Sequence, residues 1–193
     1  MAKQMLYGVE GRGKLMAGMQ TLSRAVRSTL GPTGKNVVIE KKFSGPVSTK
    51  DGITVSKEEE LPDPFENMGA KILNEVASRT NDNVGDGTTT AVVLADRMIE
   101  EGRKYLASGV RPTDLRRGIE RAVEKTVAAL REIAIPIKDY KEIEQVATIA
   151  SNWDEKVGKL VADAMEKVGK DGVITIEENK GTETYLDLVE GMQ

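Results

Sequence analysis

The chain has 193 residues, 39% hydrophobic and 31% charged, with a formal net charge of −3. That length suits one domain or a domain and a half, and the slightly acidic balance argues against a nucleic-acid partner, which needs a clustered basic surface. Cysteine and histidine are both absent, which excludes disulfides, thiolate or imidazole metal ligands, a cysteine nucleophile and Ser-His-Asp catalysis.

Any chemistry must therefore use carboxylates, hydroxyls, lysines, backbone and a bound metal. Aromatics make up only 4% of the chain, so the core must be aliphatic. The opening run Met1-Ala2-Lys3-Gln4-Met5-Leu6-Tyr7 has neither the apolar stretch nor the cleavage-like site of a signal peptide. No apolar run approaches a transmembrane span. These features predict a cytoplasmic protein with no membrane partner.

Residues 9–29 read as a helix, with Leu15, Met16, Met19, Leu22, Ala25, Val26 and Leu30 at spacings of three and four. Gly11, Gly13 and Gly18 weaken its early part. Leu30-Gly31-Pro32-Thr33-Gly34 stops it. Two short strands, 36–40 and 46–49, suit a hairpin closed by Lys42-Phe43-Ser44-Gly45. Lys50-Asp51-Gly52 reads as a turn leading into Ile53-Thr54-Val55, and Lys57 to Glu60 as a solvated charge run. Pro62 and Pro64 break the chain. A helix follows from Phe65 to about Thr80, with Met68, Ile72, Leu73, Val76 and Ala77 on one face.

After the polar run Asn81-Asp82-Asn83 comes Gly85-Asp86-Gly87-Thr88-Thr89-Thr90, then an apolar helix over Ala91–Ile99. Glycines let the backbone turn tightly and approach a ligand. A helix start offers unpaired N–H groups and a positive dipole end, which suits phosphate. Asp86 would repel phosphate directly but suits a bridging Mg2+. The motif thus points to an ATP-type triphosphate with its metal. A plain Gly-Asp-Gly turn with a threonine capping the next helix stays open as an alternative. The helix itself, apolar nearly all round, is expected to be buried.

Gly109 ends that element and Pro112-Thr113-Asp114 opens the next, where Leu115, Ile119, Ala122, Val123, Val127 and Leu130 keep a helical period. Pro136 marks a boundary. The pattern resumes over Tyr140–Ile149 and breaks at Ser151-Asn152. Asn152 with Glu155 predicts a capping box for a helix to Val168. Gly169-Lys170-Asp171-Gly172 is a turn, and 173–176 and 185–189 read as an antiparallel strand pair. Gly191 breaks the second strand, and the chain ends without a closing element, as a fragment would. Two tempting motifs fail. Gly31-Pro32-Thr33-Gly34-Lys35-Asn36 has glycines too close for a P-loop and Asn36 where Mg2+ needs Ser or Thr. Gly8, Gly11 and Gly13 lack dinucleotide-binding spacing.

Taken together, Thr29-Leu30-Gly31-Pro32, Thr49-Lys50-Asp51-Gly52, Glu66-Asn67-Met68-Gly69-Ala70, Gly85–Thr90, Leu115-Arg116-Arg117-Gly118-Ile119, Asp171-Gly172-Val173-Ile174 and Val189-Glu190-Gly191-Met192-Gln193 closely resemble a group I, GroEL-type chaperonin. The resemblance runs the length of the chain. It implies a mainly α fold with short β hairpins (α+β): an equatorial helical bundle plus part of an intermediate domain. Residues 1–135 would be the first half of the equatorial domain, 136–190 the first half of the intermediate domain, and 191–193 an apical stub.

The resemblance also implies roles. Thr29, Leu30, Gly31 and Pro32 would wrap ATP, and Lys50 would add a contact. Backbone oxygens of Thr29 and Lys50 would hold K+. Asp86 would ligate Mg2+, and Gly87, Thr88, Thr89 and Thr90 would cradle phosphate. Asp51 would help orient the attacking water, although on its own residues it reads as a turn former. The family's principal catalytic aspartate is not among these residues, nor are those gripping base and ribose. The family works as an ATP-driven folding chamber, a homo-oligomeric double heptameric ring with a co-chaperonin and unfolded clients held by the apical domain. Two alternatives stay open: a stand-alone ATP-binding phosphotransferase, and a non-catalytic interaction fragment.

Overall fold

The computed structural model describes residues 3–41, 45–169, 172–177, 181 and 184–189. They fall into two compact units, Met1–Ala128 and Ala129–Gln193. In the first, helix α1 (Gly8–Arg27) leads to strands β1 (Val37–Ile39) and β2 (Val47–Thr49) and helices α2 (Gly52–Glu58), α3 (Pro64–Val84) and α4 (Thr88–Ala107). Helix α5 (Pro112–Ile133) contains the division, and α6 (Tyr140–Ala150) and α7 (Glu155–Val168) lie in the second unit. The mainly helical architecture with one small hairpin agrees with the sequence reading.

The core of the first unit is aliphatic. Met19, Leu22 and Val26 from α1 meet Val55 from α2, Ala70, Leu73 and Ala77 from α3, and Val92 from α4. Two glycines make this possible. A methyl group at Gly18 would lie 1.7 Å from the Glu66 carbonyl oxygen, and one at Gly69 would lie 1.9 Å from the Leu15 carbonyl oxygen. The backbones of α1 and α3 therefore touch where they cross, and their larger apolar side chains interlock beside the contact.

Lys14 fastens the same pair, its Nζ 2.5 Å from Asp63 Oδ2 and 3.3 Å from Glu66 Oε1. Asp63 also caps α3, accepting from the amides of Phe65 and Glu66. The bond from Lys14, seconded by those amides, holds the Asp63 carboxyl below the usual carboxylate range. The Asp63 and Glu66 carboxylates in turn raise Lys14.

The hairpin forms as expected, antiparallel, with Val37 opposite Thr49 and Ile39 opposite Val47; residues 42–44 of its loop lie outside the described residues. The turn at Asp51 is in fact a helix start. Asp51 caps α2 by accepting from the Thr54 amide, and burial of Val55 and Ser56 on one face overrides the β preference of Ile53-Thr54-Val55. Helix α3 absorbs Asn81-Asp82-Asn83 and ends at Gly85.

Helix α4 departs from the expectation of full burial. Only Thr88, Val92 and Gly102 are buried along it, and Leu94 stays 58% exposed. The α1 and α3 side covers one stripe of an apolar helix and leaves the rest open. Helix α5 buries none of its residues, although its apolar residues follow a clear helical period.

In the second unit α6 packs along α7. Gly158 allows the approach, since a methyl group there would meet Thr148 Oγ1 at 2.0 Å. The Tyr140 hydroxyl donates to Asp163, and that bond pushes the phenol up to about 12. The cap of α7 is Asp154, not Asn152. Asn152 and Trp153 both take positive φ, 58° and 69°, in the link after α6. The Asp154 carboxylate then sits at the helix start and accepts from the Lys156 and Val157 amides. The predicted strands 173–176 and 185–189 form no strand. Their described apolar residues are largely exposed, and a lone two-stranded hairpin with no face to bury is marginal in water. Of the turn before them, Lys170 and Asp171 lie outside the described residues, as do Glu190 and 191–193.

Candidate functional site

The site is built where three chain segments meet. The first is the end of α1. The Thr29 amide and hydroxyl both donate to the Val26 carbonyl, at 3.1 and 2.8 Å, which turns the residue inward. The loop beyond folds on itself, with Gly34 N–H donating to Gly31 O and Lys35 N–H to Ser28 O. Gly31 takes φ +79°, and Leu30, Gly31 and Pro32 are exposed.

The second segment is the corner between α3 and α4. Gly85 and Gly87 adopt φ of +79° and +78° on either side of Asp86. Glycine pays little for this conformation, whereas most residues would be strained. Gly87 occupies the N-cap position of α4 and has no side chain to offer, so the first-turn amides carry no side-chain cap. That leaves a helix start open to an anion. Asp86 is exposed, and its Oδ1 accepts the Gly87 N–H at 2.6 Å. The three threonines are not equivalent. Thr88 is buried, Thr89 half-buried and Thr90 exposed.

The third segment is the start of α2. A methyl group at Gly52 would lie 2.1 Å from Thr89 Oγ1 and 3.3 Å from Thr88 Oγ1. Gly52 thus presses the Asp51 backbone against the beginning of α4. Thr29 Oγ1 reaches the same place, 3.5 Å from Thr89 Oγ1. Asp51 is half-buried and tied on both sides. Its amide donates to Thr49 Oγ1 at 3.0 Å, and its Oδ2 accepts from the Thr54 amide and hydroxyl at 3.1 and 2.5 Å. Lys50 is exposed and makes no ion pair among the described residues.

The structure therefore joins Thr29 and Thr89 directly, Thr88 and Asp51 by way of Gly52, and Asp86 and Gly87 by chain continuity. Leu30, Pro32 and Lys50 are exposed, and the Lys50 side chain makes no hydrogen bond or ion pair with the others among the described residues. The sequence reading missed the parts played by Gly52 and Thr54. Asp51 is an N-cap residue type, a helix-start signal that would have found α2; the approach of Gly52 to Thr89 has no local signal.

The arrangement fits a phosphate with its metal. The open helix start suits phosphate oxygens. A lone carboxylate suits Mg2+, which takes one or two carboxylates and completes its shell with phosphate and water. No group of three or more acidic side chains able to hold a metal occurs among the described residues.

Residues 22–193 match the TCP-1/cpn60 chaperonin family, a span that takes in every candidate site residue. The chain belongs to that family. Among solved structures, it is similar to the chaperonin gp146 from the bacteriophage EL 2 (Pseudomonas aeruginosa) in presence of ATP-BeFx. Identity is 30% and the TM-score 0.67, over 82% of this chain and 28% of that one. A group III chaperonin in the open state matches at 28% identity and a TM-score of 0.68, over 85% of this chain and 34% of that one. This chaperonin chain thus spans about a third of the length of these structures or less.

Proposed function

We propose that this chain is the N-terminal portion of a group I, GroEL-type chaperonin subunit, and that the corner between α3 and α4 is the phosphate and metal end of its ATP site. The observation that carries the reading is the uncapped, glycine-started N-terminus of α4, with Asp86 beside it and Gly52 pressed against it. In this reading the first-turn amides and the Thr89 and Thr90 hydroxyls bind phosphate oxygens. Buried Thr88 contributes its amide and packing. Asp86 holds Mg2+, Thr29–Pro32 fold over the nucleotide with Lys50 as a further contact, and the Thr29 and Lys50 carbonyls hold K+. Bound Mg2+ neutralises charge on the phosphates.

Asp51 orients the attacking water, so this chain contributes to hydrolysis by position and electrostatics, without need of a histidine. The family's principal aspartate is not among these residues, so the 193-residue chain alone does not turn ATP over. Residues 1–135 belong to the equatorial domain, 136–190 to the intermediate domain and 191–193 to the apical domain. The full-length subunit assists folding as a cytoplasmic double heptameric ring, with clients and co-chaperonin bound through its apical domain.

The test is calorimetric titration of the full-length protein with ATP and Mg2+. Asp86→Ala is expected to remove Mg2+-dependent nucleotide binding. Unchanged affinity and hydrolysis in that variant would refute the assignment, and turnover by the 193-residue chain alone would overturn the division of labour.

A further inference from the structure

Capping α2 requires one contact from Asp51, the bond from the Thr54 amide to Oδ2. The structure has a second. The Thr54 hydroxyl donates to the same oxygen at 2.5 Å. Oδ1 accepts no hydrogen bond among the described residues. A carboxylate torsion is broad and roughly two-fold, so a single amide would let the two oxygens trade places. Two donors converging on Oδ2 set the torsion. A short bond from a hydroxyl to a carboxylate is charge-assisted and among the stronger ones. Thr54 is β-branched and half-buried, so its own rotamer is restricted. On the other side, the bond from the Asp51 amide to Thr49 Oγ1 ties the residue to the end of β2.

We propose that Thr54 is the positioning residue for Asp51: its hydroxyl and amide together occupy Oδ2 and leave Oδ1 as the working oxygen. The proposal rests on the reading of Asp51 as the carboxylate that orients the attacking water. It adds that the hydroxyl of Thr54, rather than its bulk, sets the catalytic geometry. Because Gly52 fixes the adjoining backbone against Thr89, a rotated Asp51 side chain cannot be corrected by a shift of the main chain.

The test uses the full-length subunit with ATP and Mg2+ and compares Thr54→Val, Thr54→Ala, Thr54→Ser and Asp51→Asn. Thr54→Val keeps shape and capping amide but loses the hydroxyl. It is expected to lower kcat about tenfold, the rate equivalent of about 1.4 kcal/mol, with KM and the calorimetric ATP affinity within about twofold of wild type. Thr54→Ser is expected to restore kcat. A crystal structure of Thr54→Val without nucleotide should show the Asp51 carboxylate rotated or in two orientations. Should Thr54→Val not fold, Thr54→Ala carries the same expectations. Wild-type kcat in Thr54→Val, or an equal loss in Thr54→Ser, overturns the proposal while Asp51→Asn still loses activity. Wild-type kcat in Asp51→Asn overturns the underlying reading, and the proposal with it.

Discussion

The glycine contact between α1 and α3 makes a prediction about sign. In Gly18→Ala the new methyl lies 1.7 Å from the Glu66 carbonyl oxygen and 2.5 Å from its carbon. Ordinary contact begins near 3.4 Å, so one backbone must retreat by about 1.7 Å. Both atoms are main chain, and no side-chain rotation relieves the clash. Beside the contact lie Met19, Leu22, Ala70 and Leu73, all buried. A gap of about 1 Å already forfeits up to half of a dispersion contact, and overpacking alone costs about 1–3 kcal/mol. The gain in helix propensity from glycine to alanine, about 1 kcal/mol, opposes this. The net expectation is a loss of about 1–2 kcal/mol. Gly13 is the internal control. It lies in the same helix with nothing within 4 Å of an added methyl, so Gly13→Ala should gain about 0.5–1 kcal/mol. Urea unfolding followed by circular dichroism reads both. Wild-type stability in Gly18→Ala, or a shift of the two variants in the same direction, would refute the close crossing.

Three further outcomes are expected. The Asp63 carboxyl is held low in the fold, chiefly by the bond from Lys14. Its contribution is present above the unfolded value near 4 and lost as pH falls through the lower folded value. Below about pH 4 the urea midpoint of wild type should therefore drop more steeply than that of Asp63→Asn, and parallel slopes would count against the clamp. Absorbance titration should find the Tyr140 phenol at about 12, and Asp163→Asn should lower it; an unmoved titration rules out their bond. Asp154→Ala should cost about 1 kcal/mol through loss of the α7 cap, and a neutral result in thermal unfolding would count against that cap.

What the sequence disclosed and what it hid have separate causes. Helices α1, α3 and α5 were legible because each keeps apolar residues at spacings of three and four. Gly18 was read as a weakness in α1, yet it is the point of closest contact, since only the partner helix reveals what a glycine leaves room for. Helix α2 was hidden because Ile53-Thr54-Val55 looks like strand locally, and its helix depends on a cap and a buried Val55. For α4, composition showed an apolar surface but not which stripe the neighbours cover. In the candidate site, the pattern Gly85–Thr90 disclosed an open helix start, since that is a local property of glycines and hydroxyls. The approach of Thr29 and Gly52 to Thr89 joins residues far apart in the chain, and spacing alone cannot report it.

The corner at Asp86 has a mechanical side. Gly85 ends a helix of 21 residues and Gly87 begins one of 20. At 1.5 Å per residue each arm is about 30 Å long. Asp86 is thus the vertex of a pair of levers. A tilt of about two degrees there displaces the far end of either arm by about 1 Å, at the scale of the helix geometry itself. Because α4 packs against α1 and α3, any such tilt has to be taken up at the core that Val92 shares with those helices, not at a free hinge.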